Sequence, residues 1–215
     1  MPLEAVIFDM DGVLSDTQRL HAQAQSQVLK NYDVEMPPEE ITRKYAGREP
    51  GTLFRQETDT NKPMEAHAEK QELLHQLVEN NGVEKIEGAK KLVKNLHEEY
   101  CLAVASSSQP EFIQKVVSDL ELEDYFDCIE SASEVENGKP APDVFLKAAE
   151  DLGVEPENCI VIEDGRSGMK GAREAGMVCI GLVNGKGDYP AHETVESLKE
   201  LDRNYMQKLH KNFRS

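Results

Sequence analysis

The sequence is poor in positive charge. Lys and Arg number 24 against 41 Asp and Glu, for a formal net charge of −17. Nucleic-acid backbones are held by clustered Lys and Arg, so this balance argues against DNA or RNA as a partner. Anionic membrane surfaces are disfavoured for the same reason. A small anionic substrate is not excluded, because screening over about 8 Å lets a few local cations dominate a cleft. Long apolar runs are also missing: nothing approaches the roughly 18 residues of a membrane-spanning helix. The opening segment MPLEAVIFDMDGV lacks the basic and long apolar regions of a secretory signal. There is no CxxC pair. Cys101, Cys128, Cys159 and Cys179 lie 27, 31 and 20 residues apart, each in a short apolar run. They read as strand cysteines in a core rather than disulfide or zinc partners, and the expected location is the reducing cytoplasm.

What is present is a globular composition: 215 residues, 39% hydrophobic, 30% charged, mean hydropathy −0.58. At about 150 residues per domain this is one large domain, or one domain with an insertion. Short apolar runs bounded by turn residues predict strands at Leu3–Phe8, Cys101–Ala105, Cys159–Ile162 and Val178–Leu182, with a weaker one at Tyr125–Ile129. Helical stripes fall between them, at Ala89–His97, Glu111–Leu120, Pro142–Leu152 and Ser167–Ala175. This alternation predicts an α/β fold: a Rossmann-like, three-layer core with a parallel sheet. The stretch from Asp16 to Lys85 breaks the pattern. It reads as helices only, at Gln18–Asn31, Pro38–Lys44, Thr52–Glu57 and Glu65–Asn80. About 70 residues is too long for a simple crossover. The expected organisation is a core of residues 1–16 and 86–215 with an inserted helical cap at 17–85. The segment His192–Phe213 reads as one terminal helix.

Chemistry-bearing residues gather at the expected strand ends. Asp9 and Asp11 follow the first strand, and residues two apart on an extended chain face the same way. Two close carboxylates call for a cation or a proton between them, and an all-oxygen site suits a hard divalent ion such as Mg²⁺. Gly12 permits a sharp turn. Ser106, Ser107 and Ser108 close the second strand before a helix, where hydroxyls and amides suit a phosphate. Lys139 stands in a loop, and Glu163 and Asp164 form a second acidic pair after CIVI. Singly, these read as an acidic turn, a helix cap and a solvated lysine. Their coincidence at successive strand ends points to a site.

The segments FDMDGVLSDT, ASSS, GKPAPDVFLKAA and VIEDGRSGMKGAREAGM resemble the four motifs of the haloacid dehalogenase superfamily. They are most similar to its helical-cap subgroup of sugar-phosphate phosphatases, phosphoglycolate phosphatase and β-phosphoglucomutase. The resemblance implies an Mg²⁺-dependent phosphomonoesterase acting on a small phosphorylated metabolite. In it, Asp9 is the nucleophile that becomes an aspartyl-phosphate, and Asp11 is the general acid and base. Ser106 and Ser107 bind the phosphoryl group, and Lys139 neutralises charge. Asp9, the Asp11 carbonyl and Asp164 hold the metal, with Glu163 as a direct or water-mediated ligand. A monomer or weak dimer is expected. Asp11 and Asp164 argue against the metal-free dehalogenase branch.

Substrate choice in that subgroup falls to the cap. His21 lies one helical turn beyond Thr17. Gly47 and Arg48 resemble the loop that presents a specificity residue, where Arg48 could clamp a second anionic group or pair with Glu49. Lys70 resembles a cap-facing residue, or else sits on a solvated face between Glu69 and Glu72. β-Phosphoglucomutase places an arginine three residues after the loop glycine, whereas Arg48 follows Gly47 directly. A mutase and a catalytically silent phosphometabolite-binding protein remain the alternatives.

Overall fold

The computed structural model describes residues 2–45, 51–185 and 187–213. The chain divides into two compact units, one formed by residues 1–15 with 85–215 and the other by 16–84.

The larger unit is built on a parallel sheet of β1 (Ala5–Phe8), β2 (Cys101–Ser106), β3 (Cys128–Ser131), β4 (Cys159–Glu163), β5 (Val178–Leu182) and β6 (Glu193–Val195), in the order β3-β2-β1-β4-β5-β6. The α/β expectation therefore holds. The order reverses direction on either side of β1, which creates a crevice beyond the carboxyl ends of β1 and β4. The β1 segment AVIF is buried at every position because both sheet faces are covered. One face carries Ala5, Ile7, Ala103, Ala105, Cys159 and Val161 against α7 (Asp143–Leu152) and α8 (Arg166–Glu174). The intervening residues, Val6 and Phe8 among them, face the other way. The helices α5 (Ala89–His97) and α6 (Pro110–Asp119) each bury a stripe, such as Phe112, Ile113, Val116 and Val117 of α6. Pro110 stands in the first turn of α6, where its missing N–H costs nothing.

The smaller unit contains α1 (Gln18–Lys30), α2 (Pro38–Tyr45), α3 (Thr52–Glu57) and α4 (Pro63–Asn81). It has its own core, in which Leu29, Ile41, Leu53, Phe54 and Ala66 are buried together. Among the described residues, no helix is long and apolar enough to cross a membrane.

Two segments differ from the sequence reading. The stretch expected as a single helix at His192–Phe213 divides into β6, a short turn of helix at Leu198–Glu200 and α9 (Arg203–Phe213). Ser197 and Glu200 form a reciprocal capping box that starts a new turn. Val195 is drawn into the sheet edge, paired with Leu182. The stripe of apolar residues is thus shared by three elements. The third strand begins at Cys128 rather than Tyr125, because residues 123–125 close a tight helical turn that puts the side chain of Asp127 on the Leu102 N–H, 2.8 Å away.

At the β3 edge, Glu130 is buried and its carboxyl is pushed up to about 6, first by burial and then by a hydrogen bond with Asp151, while Lys147 pulls it down. A carboxyl raised in the folded state favours folding below its unfolded pKa, and the contribution is lost as pH rises through the folded value. The stability difference between the wild type and Glu130→Gln, measured by urea unfolding, is therefore expected to shift against the wild type between about pH 4.5 and 6. A constant difference over that window would contradict the assignment.

Candidate active site

The parallel register sets three strand ends level. Phe8 stands opposite Val104 on one side and Ile162 on the other, so the next residues in line are Ala105, Asp9 and Glu163. The Asp9 N–H extends the ladder to the Ile162 carbonyl at 2.9 Å. Asp9 continues the Ala5–Ile7 row and Glu163 the Cys159–Val161 row, so both side chains face the layer of α7 and α8. From the loop before α7 comes Lys139, whose peptide bond to Pro140 is cis. Its Nζ donates to Asp9 Oδ1 (2.5 Å), Glu163 Oε1 (2.9 Å) and the Ala105 carbonyl (3.0 Å). One ammonium therefore ties together the ends of β2, β1 and β4. Its side chain is 4% exposed, which removes the solvated-lysine alternative. Nζ also lies 5.0 Å from the centre of the Phe145 ring.

The electrostatics follow from burial. Desolvation pushes the Asp9 carboxyl well above the usual range; Lys139 opposes this, and Glu163, Asp164 and Asp11 add to it. Burial pulls Lys139 down, but Asp9 and Glu163 outweigh it and the ammonium is held above its ordinary value. Asp164 is pushed up to about 8 by burial and then by Glu163 and Asp11. Four carboxyl groups thus act on one another around one ammonium.

Glycines make this packing possible. A Cβ on Gly168 would lie 1.8 Å from Glu163 Oε1, and one on Gly171 would lie 2.8 Å from the Ala141 carbonyl. The α8 backbone therefore approaches both Glu163 and the Lys139 loop more closely than any side chain permits. Glu163 Oε2 accepts from the Gly165 N–H at 2.5 Å. Both oxygens of Glu163 are accordingly engaged, one on Lys139 and one on the helix start. Among the described residues, no three His, Cys, Asp or Glu side chains form a ready metal cluster. In this arrangement Lys139 is the cation that Asp9 and Glu163 share. An all-oxygen set of Asp9, Asp164 and the Asp11 main-chain carbonyl still suits a hard cation, since burial and neighbouring carboxyl groups push the Asp9 and Asp164 carboxyls up.

Asp11 has a different partner from Asp9. The strand ends at Phe8, and the Met10 carbonyl accepts from the Leu14 and Ser15 N–H groups. Gly12 has φ +86°, so the two-residue alternation no longer applies by Asp11. Ser108 Oγ donates to Asp11 Oδ2 at 3.2 Å. Ser106 is buried and its Oγ accepts from the Ser108 N–H at 3.1 Å, whereas Ser107 is exposed. The sequence reading named Ser108 in the serine run but gave it no role of its own. Its signal was the alternation along ASSS, which sets Ser106 and Ser108 on one side.

In the helical unit, His21 of α1 and Lys70 of α4 meet. Lys70 Nζ donates to His21 Nδ1 at 2.8 Å and to Gln71 Oε1 at 3.1 Å. Lys70 is 2% exposed, so its reading as a solvated helix face is overturned. Helix α4 buries Ala66, Lys70, Leu74 and Val78 as one stripe, with Lys70 inside it. Nearby, His67 is pulled down to about 4 by burial, then by Lys70 and His21. Gly47 and Arg48 lie outside the described residues.

The family model for haloacid dehalogenase-like hydrolases matches residues 6–182, and the chain belongs to that family. It is 35% identical over 196 residues to the phosphorylated carbohydrates phosphatase of Thermotoga maritima, covering 86% of this chain and 88% of that protein. It is 30% identical over 209 residues to the beta-phosphoglucomutase of Bacillus subtilis, covering 93% and 92%. Among solved structures it resembles a family hydrolase from Deinococcus radiodurans with bound phosphate and sodium, with TM-score 0.71, 26% identity, and coverage of 97% and 96%.

Gly168→Ala is expected to displace Glu163 and loosen Lys139. Overpacking of this kind costs about 1–3 kcal/mol, and a shift near 1 Å at a reacting centre costs about 100-fold in rate. Thermal unfolding and phosphatase assays would both register the change. An unaltered melting temperature with full activity would contradict the close approach of α8.

Proposed function

We propose that the protein is a cation-dependent phosphomonoesterase of small phosphorylated metabolites, sugar phosphates or sugar-acid phosphates, working through a phosphorylated Asp9. The observation that carries this reading is Lys139, buried and bonded at once to Asp9, Glu163 and the Ala105 carbonyl. An ammonium so placed draws a buried carboxylate toward its ionised, nucleophilic form, against the burial that favours a proton on it, and stands ready for added negative charge.

In the first step an Asp9 oxygen forms a bond to phosphorus as the bond to the leaving oxygen breaks. The electron pair departs on that oxygen, and Asp11 supplies the proton. In the second step water attacks the phosphorus and gives a proton to Asp11. The Asp9–phosphorus bond breaks, and free phosphate and the alcohol are the products. Ser106, at the end of β2, is the phosphoryl-binding hydroxyl; the neighbouring Ser107 offers its main chain. Asp9, Asp164 and the main chain of Asp11 are the residues that would hold Mg²⁺, which when bound supplies charge neutralisation for an anionic substrate. Glu163 acts by holding Lys139. The helical unit carries substrate selectivity.

The 30% identity to a beta-phosphoglucomutase supports a second reading, transfer within a phosphosugar. Phosphorus NMR distinguishes the two. Release of inorganic phosphate from sugar phosphates supports the phosphatase, and isomerisation without release supports the mutase.

Phosphate release from small monoesters is expected to need a divalent cation and to stop on chelation. Asp9→Asn is expected to lower kcat by at least about 1,000-fold, since the nucleophile is lost with little change in shape. Turnover by Asp9→Asn near the wild-type rate would refute the reading.

A further inference from the structure

Ser108 is fixed on every side but one. Its N–H is accepted by Ser106 Oγ at 3.1 Å, and its carbonyl accepts from Ser131 Oγ at 2.6 Å. Ser131 lies in β3 directly across from Ser106 of β2, so this second anchor is set by sheet register. A hydroxyl has one proton to donate. The Ser131 proton goes to the Ser108 carbonyl, so the 2.7 Å contact between Ser131 and Ser133 has Ser133 as donor. The Ser133 N–H also points to Ser131 Oγ, at 3.1 Å. Ser131 is thereby locked as a donor toward Ser108. The Ser108 hydroxyl, with both of its peptide groups held, gives its own proton to Asp11 Oδ2. Asp11 follows the end of β1, in a turn whose next residue, Gly12, has φ +86°.

We propose that Ser108 is a positioning residue for proton transfer, its hydroxyl holding Oδ2 of Asp11 and so fixing the orientation of the carboxyl group that exchanges a proton with the substrate. The inference rests on the reading of Asp11 as acid and base. Ser133, Ser131 and Ser108 form a chain of hydroxyl and carbonyl groups that carries the position of the β3 edge to the carboxylate. The serine run after β2 thus has two jobs. In the proposed reaction Ser106 binds the phosphoryl group, and Ser108, two residues on, sets the acid.

The test uses the full-length protein and a series of ring-substituted phenyl phosphates, which share a shape and differ in the basicity of the leaving oxygen. The ratio kcat/KM reports the first transfer, before water enters. A basic leaving group needs the proton, and a nitrophenolate does not. In Ser108→Ala the dependence of kcat/KM on leaving-group basicity is expected to steepen. Phenyl phosphate should lose about 10-fold or more, and nitrophenyl phosphate less than about 3-fold. Ser108→Thr, which keeps the hydroxyl, should restore the wild-type slope. Ser131→Ala should steepen the slope less than Ser108→Ala does. In an Asp11→Asn background, Ser108→Ala should add no further loss. An equal loss on every ester, or a further loss in the Asp11→Asn background, would overturn the proposal and leave Ser108 a packing residue. Should Ser108→Ala not fold, the slopes of Ser108→Thr and Ser131→Ala decide alone. Failure of the underlying reading looks different: Asp9→Asn would then retain turnover, or Asp11→Asn would itself leave the slope unchanged.

Discussion

The ammonium of Lys139 is the interaction on which the rest of the site depends. A lysine taken out of water is costly unless its charge is met. Here it is met by two carboxylates and a carbonyl, contributed by three adjacent strands. Parallel register makes the convergence possible, since Ala105, Asp9 and Glu163 stand at the same height. The dependence runs both ways. Without Lys139, two buried carboxylates would face each other unpaired. Without either carboxylate, a buried ammonium would have lost much of its compensation, a loss of about 3–5 kcal/mol in comparable buried pairs. Stability and chemistry therefore draw on the same contacts.

The arrangement also explains a pattern of glycines that hydrophobic periodicity passes over. Gly165, Gly168 and Gly171 recur every third residue, the first just before α8 and the other two on one face of it. The first donates its N–H to Glu163, the second makes room for that carboxylate, and the third lets the helix rest on the Lys139 loop. Glycine inside a helix costs about 1 kcal/mol relative to alanine. Its use here at two positions on one face, Gly168 and Gly171, shows close approach outweighing helix propensity.

What could be read from the sequence was whatever is local. The strands β1, β2, β4 and β5 are short apolar runs because both faces of a parallel sheet are covered. Their ends were marked by Asp9, Ser106 and Glu163, and the family by its motifs in order. What could not be read depends on partners distant in the chain. Val195 and Leu209 share a helical stripe in sequence, yet β5 claims Val195 for the sheet. Lys70 stands between acidic neighbours, yet it is buried because α4 turns it inward to His21. Glu163 looked like one half of an acidic pair awaiting a metal. Its two oxygens are instead engaged by Lys139, 24 residues away, and by the Gly165 amide. The role of Ser108 was hidden for the same reason, since Asp11 precedes it by 97 residues.

The acidity of the chain and its anionic substrate class pose one electrostatic problem. A net charge of −17 repels a phosphate ester at long range, but screening confines that repulsion to about 8 Å at physiological salt. Within that distance the local set decides. Asp9, Asp11, Glu163 and Asp164 carry four negative charges if all are ionised, against one positive charge on Lys139. Burial favours protons on Asp9 and Asp164, whereas a nucleophilic carboxylate must be free of its proton. Lys139 supplies part of that bias, because it is the group that pulls the Asp9 carboxyl back toward ionisation. One ammonium cannot offset four carboxylates and a phosphate dianion together. The proposed chemistry at Asp9 therefore calls for further positive charge in the crevice, which is the part assigned above to a cation held by Asp9, Asp164 and the main chain of Asp11.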